Sequence, residues 1–217
     1  MALTYPLVAS VFADKLRIKS APFVLQHQQE LSGVASGNLQ AADLAPAFWQ
    51  AEVETVPLTE AQAAQIMALI NSLAGAVRKV YLYNPSLTGP QADPDGTILG
   101  AASVTVGSVA SSYSLTLAGL PASYVITCGD YFSISYGTPS RTYLGQFAEG
   151  GTANGLGAMG PVDVAPAMPA GIVATNAVML IKPQAKCKIV PGSAYPSIIN
   201  PLHQTIKFSA RQTHEPG

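Results

Sequence analysis

Two hydrophobic periods alternate along the chain. Lys15-Leu16-Arg17-Ile18-Lys19 alternates strictly between polar and apolar, and Trp49-Gln50-Ala51-Glu52-Val53-Glu54 does so again with Trp49, Ala51 and Val53 on one face. The stretch from Lys15 to Val56 therefore reads as mostly extended, half-buried strand. The period then changes. Thr59-Glu60-Ala61-Gln62 has the form of a capping box, in which the Thr59 hydroxyl and the Gln62 amide satisfy each other's backbone donors. Ile66, Leu69, Ile70, Leu73 and Val77 recur at helical spacing and Gly75 supplies a stop, which predicts a helix over 60–74. Val80-Tyr81-Leu82-Tyr83 returns to strand and is closed by Asn84-Pro85.

Residues 86–96 are turn formers without apolar periodicity and mark a boundary. Beyond them lie short β-prone runs separated by Gly and Pro: 102–106, 112–117, 124–127, 131–136, 143–147, 177–181 and 186–190. Evenly spaced short strands without helical pattern predict a barrel or sandwich. The Gly-, Ala- and Pro-rich stretch 148–171 reads as a long loop or a weakly regular segment, and 204–211 alternates as a further strand. No internal repeat of fixed period is visible. The fold expected is mainly β (α+β), with one helix.

Composition changes this picture in one respect. The chain has 217 residues, enough to bury a core without metal or disulfide staples, but only 11% are charged while 48% are hydrophobic. Charge depletion marks surfaces that are buried against partners, so the chain reads as an assembly subunit. A net charge of −1 gives no footprint for nucleic acid. The local exception is Lys15, Arg17 and Lys19, three cations that alternation would place on one strand face, as solvated or edge-protecting charges or as an interface stripe. No stretch approaches the length of a membrane span, and residues 1–12 lack the basic start and cleavage site of a signal peptide, so a cytosolic origin is expected.

Motifs that carry chemistry are weak. Gly155-Leu156-Gly157-Ala158-Met159-Gly160 matches a dinucleotide fingerprint in spelling, yet Pro161, Pro166 and Pro169 follow where a phosphate-binding helix would have to begin, and a plain glycine-rich loop is expected. Asp93-Pro94-Asp95-Gly96 resembles the opening of a calcium loop but lacks the later acids; a turn is expected there, as at Gly129-Asp130. Cys128 and Cys187 form no CxxC pair and read as buried free thiols. His27, His203 and His214 show no metal or catalytic spacing. Tyr113, Tyr124, Tyr131, Tyr136 and Tyr143 could build a sugar-stacking face or belong to the core and rim of a β module. No cofactor, metal or catalytic residue is expected.

The order of motifs is more telling than any one of them. Trp49-Gln50-Ala51-Glu52-Val53, the Thr-Glu-Ala helix, Leu73-Ala74-Gly75 and Tyr81-Leu82-Tyr83-Asn84-Pro85 are followed by Asp95-Gly96, Gly100-Ala101, Leu120-Pro121, Cys128-Gly129-Asp130-Tyr131-Phe132-Ser133-Ile134, Asn154-Gly155 and the segment 162–166. This series resembles the distal-tail (tail-tip, baseplate) proteins of long-tailed phages. The resemblance implies a ring, commonly sixfold, that joins the tail tube to the hub and host-recognition proteins. DNA would pass only through its channel, and nothing inserts in a membrane. It implies a location in the virion tail tip after assembly in the host cytoplasm. It also implies a β-sandwich-like ring domain over 1–88 and 192–217, containing the helix, with a small OB-like β-barrel module inserted over 89–191. Lys15, Arg17 and Lys19 would face a subunit boundary or the channel. Two other classes stay open: a carbohydrate-binding receptor protein of the tail tip, and a small hydrolase using Cys128, Cys187 or a histidine.

Overall fold

The computed structural model describes residues 3–33 and 37–216. A short 3-10 turn, Ala13–Lys15, is pinned by the fully buried Phe12 and Leu16 on either side. The chain then forms β1 (Ile18–Ser20), β2 (Phe23–Gly33), β3 (Leu39–Thr55), β4 (Leu58–Thr59), the helix α1 (Glu60–Ser72) and β5 (Val80–Tyr83). An excursion follows through β6 (Thr105–Ser111), β7 (Ser114–Ala118), β8 (Val125–Ile126), β9 (Tyr131–Tyr136), β10 (Arg141–Phe147), β11 (Gly151–Thr152), β12 (Met159–Ala165) and β13 (Val178–Met179). The chain returns in β14 (Gln184–Ile189), β15 (Tyr195–Asn200) and β16 (His203–Gln212). The fold is mainly β with one helix, as the periodicity predicts.

The strands expected to make a sandwich are hydrogen-bonded into one eight-stranded sheet with the path β1-β3-β16-β14-β5, to which β2 adds on β3 and β4 and β15 add on β16. Its core side carries Trp49, Ala51 and Val53 from β3, Val80 and Leu82 from β5, and Ile206, Phe208 and Ala210 from β16, alternating as a half-buried sheet requires. Helix α1 adds Ala63, Ile66 and Ile70 to the same core. Its capping box forms as read: the Gln62 N–H donates to Thr59 Oγ1 (3.5 Å) and the Thr59 N–H to Gln62 Oε1 (3.3 Å). The helix stops at Ser72, because Ala74 and Gly75 both take positive φ, and Val77, counted on the apolar face from sequence, lies outside the helix and exposed.

The second core belongs to a six-stranded sheet with the path β13-β9-β10-β12-β7-β6. Phe132 stacks on Phe147 (4.4 Å between centroids) and meets Tyr143 edge-on (5.9 Å), with Leu115, Leu117, Val162 and Val164 around them. The two ends of this path meet: Thr105 of β6 bridges to Ala177, beside β13, and backbone bonds flank the bridge, from the Val106 N–H to Asn176 O (2.9 Å), the Val178 N–H to Val104 O (2.9 Å) and the Thr175 N–H to Val106 O (2.8 Å).

Two sequence expectations are corrected here. Lys186–Val190 was expected in the inserted module, but Gln184–Ile189 pairs with β5 on one edge and β16 on the other, and Ala185, Cys187 and Ile189 point into the first core. The period-2 face of this strand matches the first sheet, so the chain crosses back near Lys182. The stretch 148–171, expected as a long loop or a weakly regular segment, contains β11 and the seven-residue β12, in which Met159, Val162 and Val164 are buried despite Gly160 and Pro161. A register shift between Met159 and Val162 in the pairing with β7 accommodates those two residues.

The two cores are joined along one seam. The Trp49 indole N–H donates to Leu144 O (2.8 Å), and its ring meets Tyr131 edge-on at 5.4 Å. Nearby the Gln184 N–H donates to Ser133 Oγ (3.2 Å), and the buried Lys186 ammonium donates to Ser140 O (3.0 Å). Burial chiefly, and then Lys79, holds the Lys186 pKa below that of an ordinary lysine.

The turn-rich segment 86–100 is ordered by buried carboxylates. Asp93 accepts from the Ile98 N–H (3.1 Å), the Leu99 N–H (2.8 Å), Tyr124 Oη (3.2 Å) and Thr97 Oγ1 (3.3 Å). Asp130 accepts from the Gln91 N–H (2.9 Å) and the Thr127 N–H (2.7 Å). Burial raises the Asp93 pKa, but the four donors outweigh it and hold the carboxyl below the ordinary carboxylate value. The folded state thus binds the proton less readily than the unfolded state. The stabilisation is complete above the unfolded pKa and is lost as pH falls through the lower folded value. Urea midpoints measured across the acid range are expected to fall for the wild type and to fall less steeply for Asp93→Asn. Asp93→Ala is expected to cost about 1–3 kcal/mol for each buried donor left unpaired.

Candidate assembly interface

The feature that stands out on the surface is an arm. β16 pairs with β3 only over Gln50 to Glu54, whereas β3 and β2 continue together to the Gly33–Leu39 pair. Beyond the sheet they form a two-stranded ribbon with register shifts between Gln26 and Gln29, a place where a bulge bends and twists the strands. Cross-strand bonds hold it: Gln29 Nε2 donates to Asp43 Oδ1 (2.7 Å) and Gln28 Nε2 to Pro46 O (3.1 Å). Leu31, Leu39 and Leu44 on the arm are 59%, 68% and 67% exposed. An isolated ribbon of this kind gains little from its own packing, and its outer edges offer unpaired backbone groups to another chain.

A second apolar projection lies at the other end of the sheet. β15 and β16 form a hairpin whose tip presents Ile198, Ile199 and Leu202 to solvent. Asn200 shapes the tip, its Oδ1 accepting from the Leu202 N–H (2.9 Å).

Between the base of the arm and the second core lies a cleft of about 810 Å³. Leu44, Pro46 and Ala47 line it from the arm, and Tyr113, Tyr136 and the run 165–170 from the opposite wall. His27, Asp43, Arg141 and His214 add polar groups. Burial lowers the His214 pKa and so favours the neutral ring, outweighing the contact with Ala47 O (3.4 Å), which acts in the opposite direction. Sequence spacing gave no hint of the cleft, because its walls come from segments more than 60 residues apart that only the fold brings together.

The cation stripe is not a strand face. Ala13–Lys15 is a 3-10 turn, Arg17 takes φ 47°, and β1 begins only at Ile18. Burying Phe12, Ala13 and Leu16 together forces the turn and breaks the alternation. Lys15, Arg17 and Lys19 are all exposed, and Lys19 is tied to Glu54 (3.2 Å), which Lys207 also meets (3.3 Å). That cluster lies on the flank of β3, where β1 protects an edge of the sheet.

The other candidates resolve into structure. Tyr124, Tyr131, Tyr136 and Tyr143 are buried, leaving Tyr113 as the exposed member of the five and no broad stacking face. Cys187 is buried, which pushes its thiol pKa up to about 12, far from a reactive thiolate. Cys128, expected to be buried, is exposed, its Sγ 3.1 Å from Ala148 O. The glycine-rich motif forms a turn in which Asn154 Oδ1 accepts from the Leu156 and Ala158 N–H groups (2.9 and 3.0 Å), leading into β12 and not into a helix. Among the described residues no group of three or more His, Cys, Asp or Glu is arranged to hold a metal ion. No helix of the described residues is long and apolar enough to cross a membrane.

A scan against protein-family models finds no match to this sequence, and a search of curated proteins finds none either.

Proposed function

We propose that this chain is a structural, ring-forming subunit of a phage tail tip, an adaptor between the tail tube and the hub and host-recognition proteins, and not an enzyme. The observation that carries the assembly part is the arm: a projecting ribbon with exposed leucines and free edges, on a chain with only 11% charged residues. Such surface is costly in water and is stabilised when a neighbour covers it. The tail-tip part is supported by the order of motifs from Trp49 to the segment 162–166, with the capping-box helix among them. In this reading the Lys15, Arg17 and Lys19 region lies at a subunit boundary or toward the channel.

Negative-stain images and light scattering of the purified protein test the reading. Closed rings with a central hole are expected, either alone or when the tail tube protein is added. A chain that remains monomeric under both conditions would overturn it.

A further inference from the structure

We propose that the apolar tip of the β15–β16 hairpin of one copy docks into the cleft at the base of the arm of the next copy, joining subunits head to tail. The inference rests on the ring reading and names the contact that closes the ring.

β16 sets the geometry. His203, its first residue, sits at the hairpin tip, and His214, just beyond its end, lines the cleft. Eleven residues of extended chain at about 3.3 Å each place the two roughly 35 Å apart, at opposite ends of one sheet. A subunit therefore cannot fill its own cleft with its own tip. Two different patches that satisfy each other only between copies make a heterologous contact, the kind that generates rings when the rotation closes.

The chemistry of the two patches matches. Residues 195–203 contain no Asp, Glu, Lys or Arg, and Ile198 and Leu202 are 80% and 73% exposed at the tip. The cleft offers apolar walls, Leu44 and Pro46 on one side and Ala167, Met168 and Pro169 on the other, with His27, Asp43, Arg141 and His214 as polar groups beside them. Because Asn200 fixes the tip turn through the Leu202 N–H, the knob is preorganised and loses little freedom on docking. Leu44, exposed on the arm, is itself part of the cleft wall.

The test uses two double variants on exposed positions of the full chain: Ile198→Asp with Leu202→Asp at the tip, and Leu44→Glu with Ala167→Glu in the cleft. Circular dichroism and thermal midpoints are expected to match the wild type. Sedimentation velocity is expected to show oligomers for the wild type and complete loss of them for either variant alone. An equimolar mixture retains one intact tip and one intact cleft, so it is expected to yield dimers of one chain of each kind and nothing larger. A mixture that stays monomeric overturns the contact. So does a tip variant that assembles like the wild type, in which case another segment fills the cleft and the ring reading survives. A wild-type chain that never self-associates, even with the tail tube protein, overturns both.

Discussion

Trp49→Ala is expected to destabilise the fold by about 3–5 kcal/mol, the range for truncating a large buried aromatic. Trp49 is 3% exposed and takes part in three separate contacts: the first core, the edge-on contact with Tyr131, and the bond to Leu144 O that reaches the strand carrying the second core. Truncation leaves a cavity on the seam and an unpaired carbonyl. Trp49→Phe keeps much of the ring packing but loses the bond, and is expected to cost less, closer to about 1 kcal/mol for the hydrogen bond itself plus a partial cavity. Because Trp49 is the single tryptophan of the chain, the comparison is made by urea unfolding followed by circular dichroism. Equal midpoints for Trp49→Ala and the wild type would remove the seam as the element coupling the two cores.

Gly157→Ala is the second large effect. Gly157 has φ +75°, and a Cβ there would lie 2.1 Å from Leu120 O, on a separate connection that is held against Gly157 by the bond from the Leu120 N–H to Gly157 O (3.0 Å). The left-handed backbone alone costs an alanine about 1–2 kcal/mol, and relieving the clash requires the Leu120 turn to move as well. Gly160→Ala, three residues on in the same motif, meets nothing within 4 Å and keeps an ordinary φ, so it is expected to be near neutral. Unfolding midpoints of the two variants separate the cases. A phosphate-binding motif would need its glycines at an anion; here Gly157 is needed for a turn, while a Cβ on Gly155 or Gly160 would meet nothing within 4 Å.

The legible parts of the fold are those set by local chemistry. Thr59 and Gln62 announce the helix because both halves of the capping box lie within four residues, and Trp49, Ala51 and Val53 announce a strand face because alternation survives where one side meets a core. β9 was readable at both ends, since Tyr131–Tyr136 is apolar-rich and bounded by Gly129 and Gly137. What was not legible depends on partners distant in sequence. Lys186 gives β14 a polar look, yet the strand is covered by β9 and β10 on one face, so a lysine lies buried where the pattern suggested an inserted module. Pro196 hid β15, which tolerates it because that strand pairs on one side only. The false strand at Lys15 failed for the opposite reason: two hydrophobic anchors, Phe12 and Leu16, sit four residues apart and need a turn to be buried together. The arm and the cleft escaped entirely, because exposure of a leucine and the placing of Ala47 and Pro166 on the walls of one cleft are properties of the packed chain.

The placement of β16 also orders events during synthesis. It pairs with β3, β4, β14 and β15, so the first sheet lacks its middle strand until residues 203–212 have emerged from the ribosome. The second core, drawn wholly from Leu99 to Leu180, is complete well before that. The nascent chain can therefore condense its interior module first and then close the outer sheet around a folded neighbour. This defers the exposed arm's partnership with the rest of its own sheet to the last step of folding.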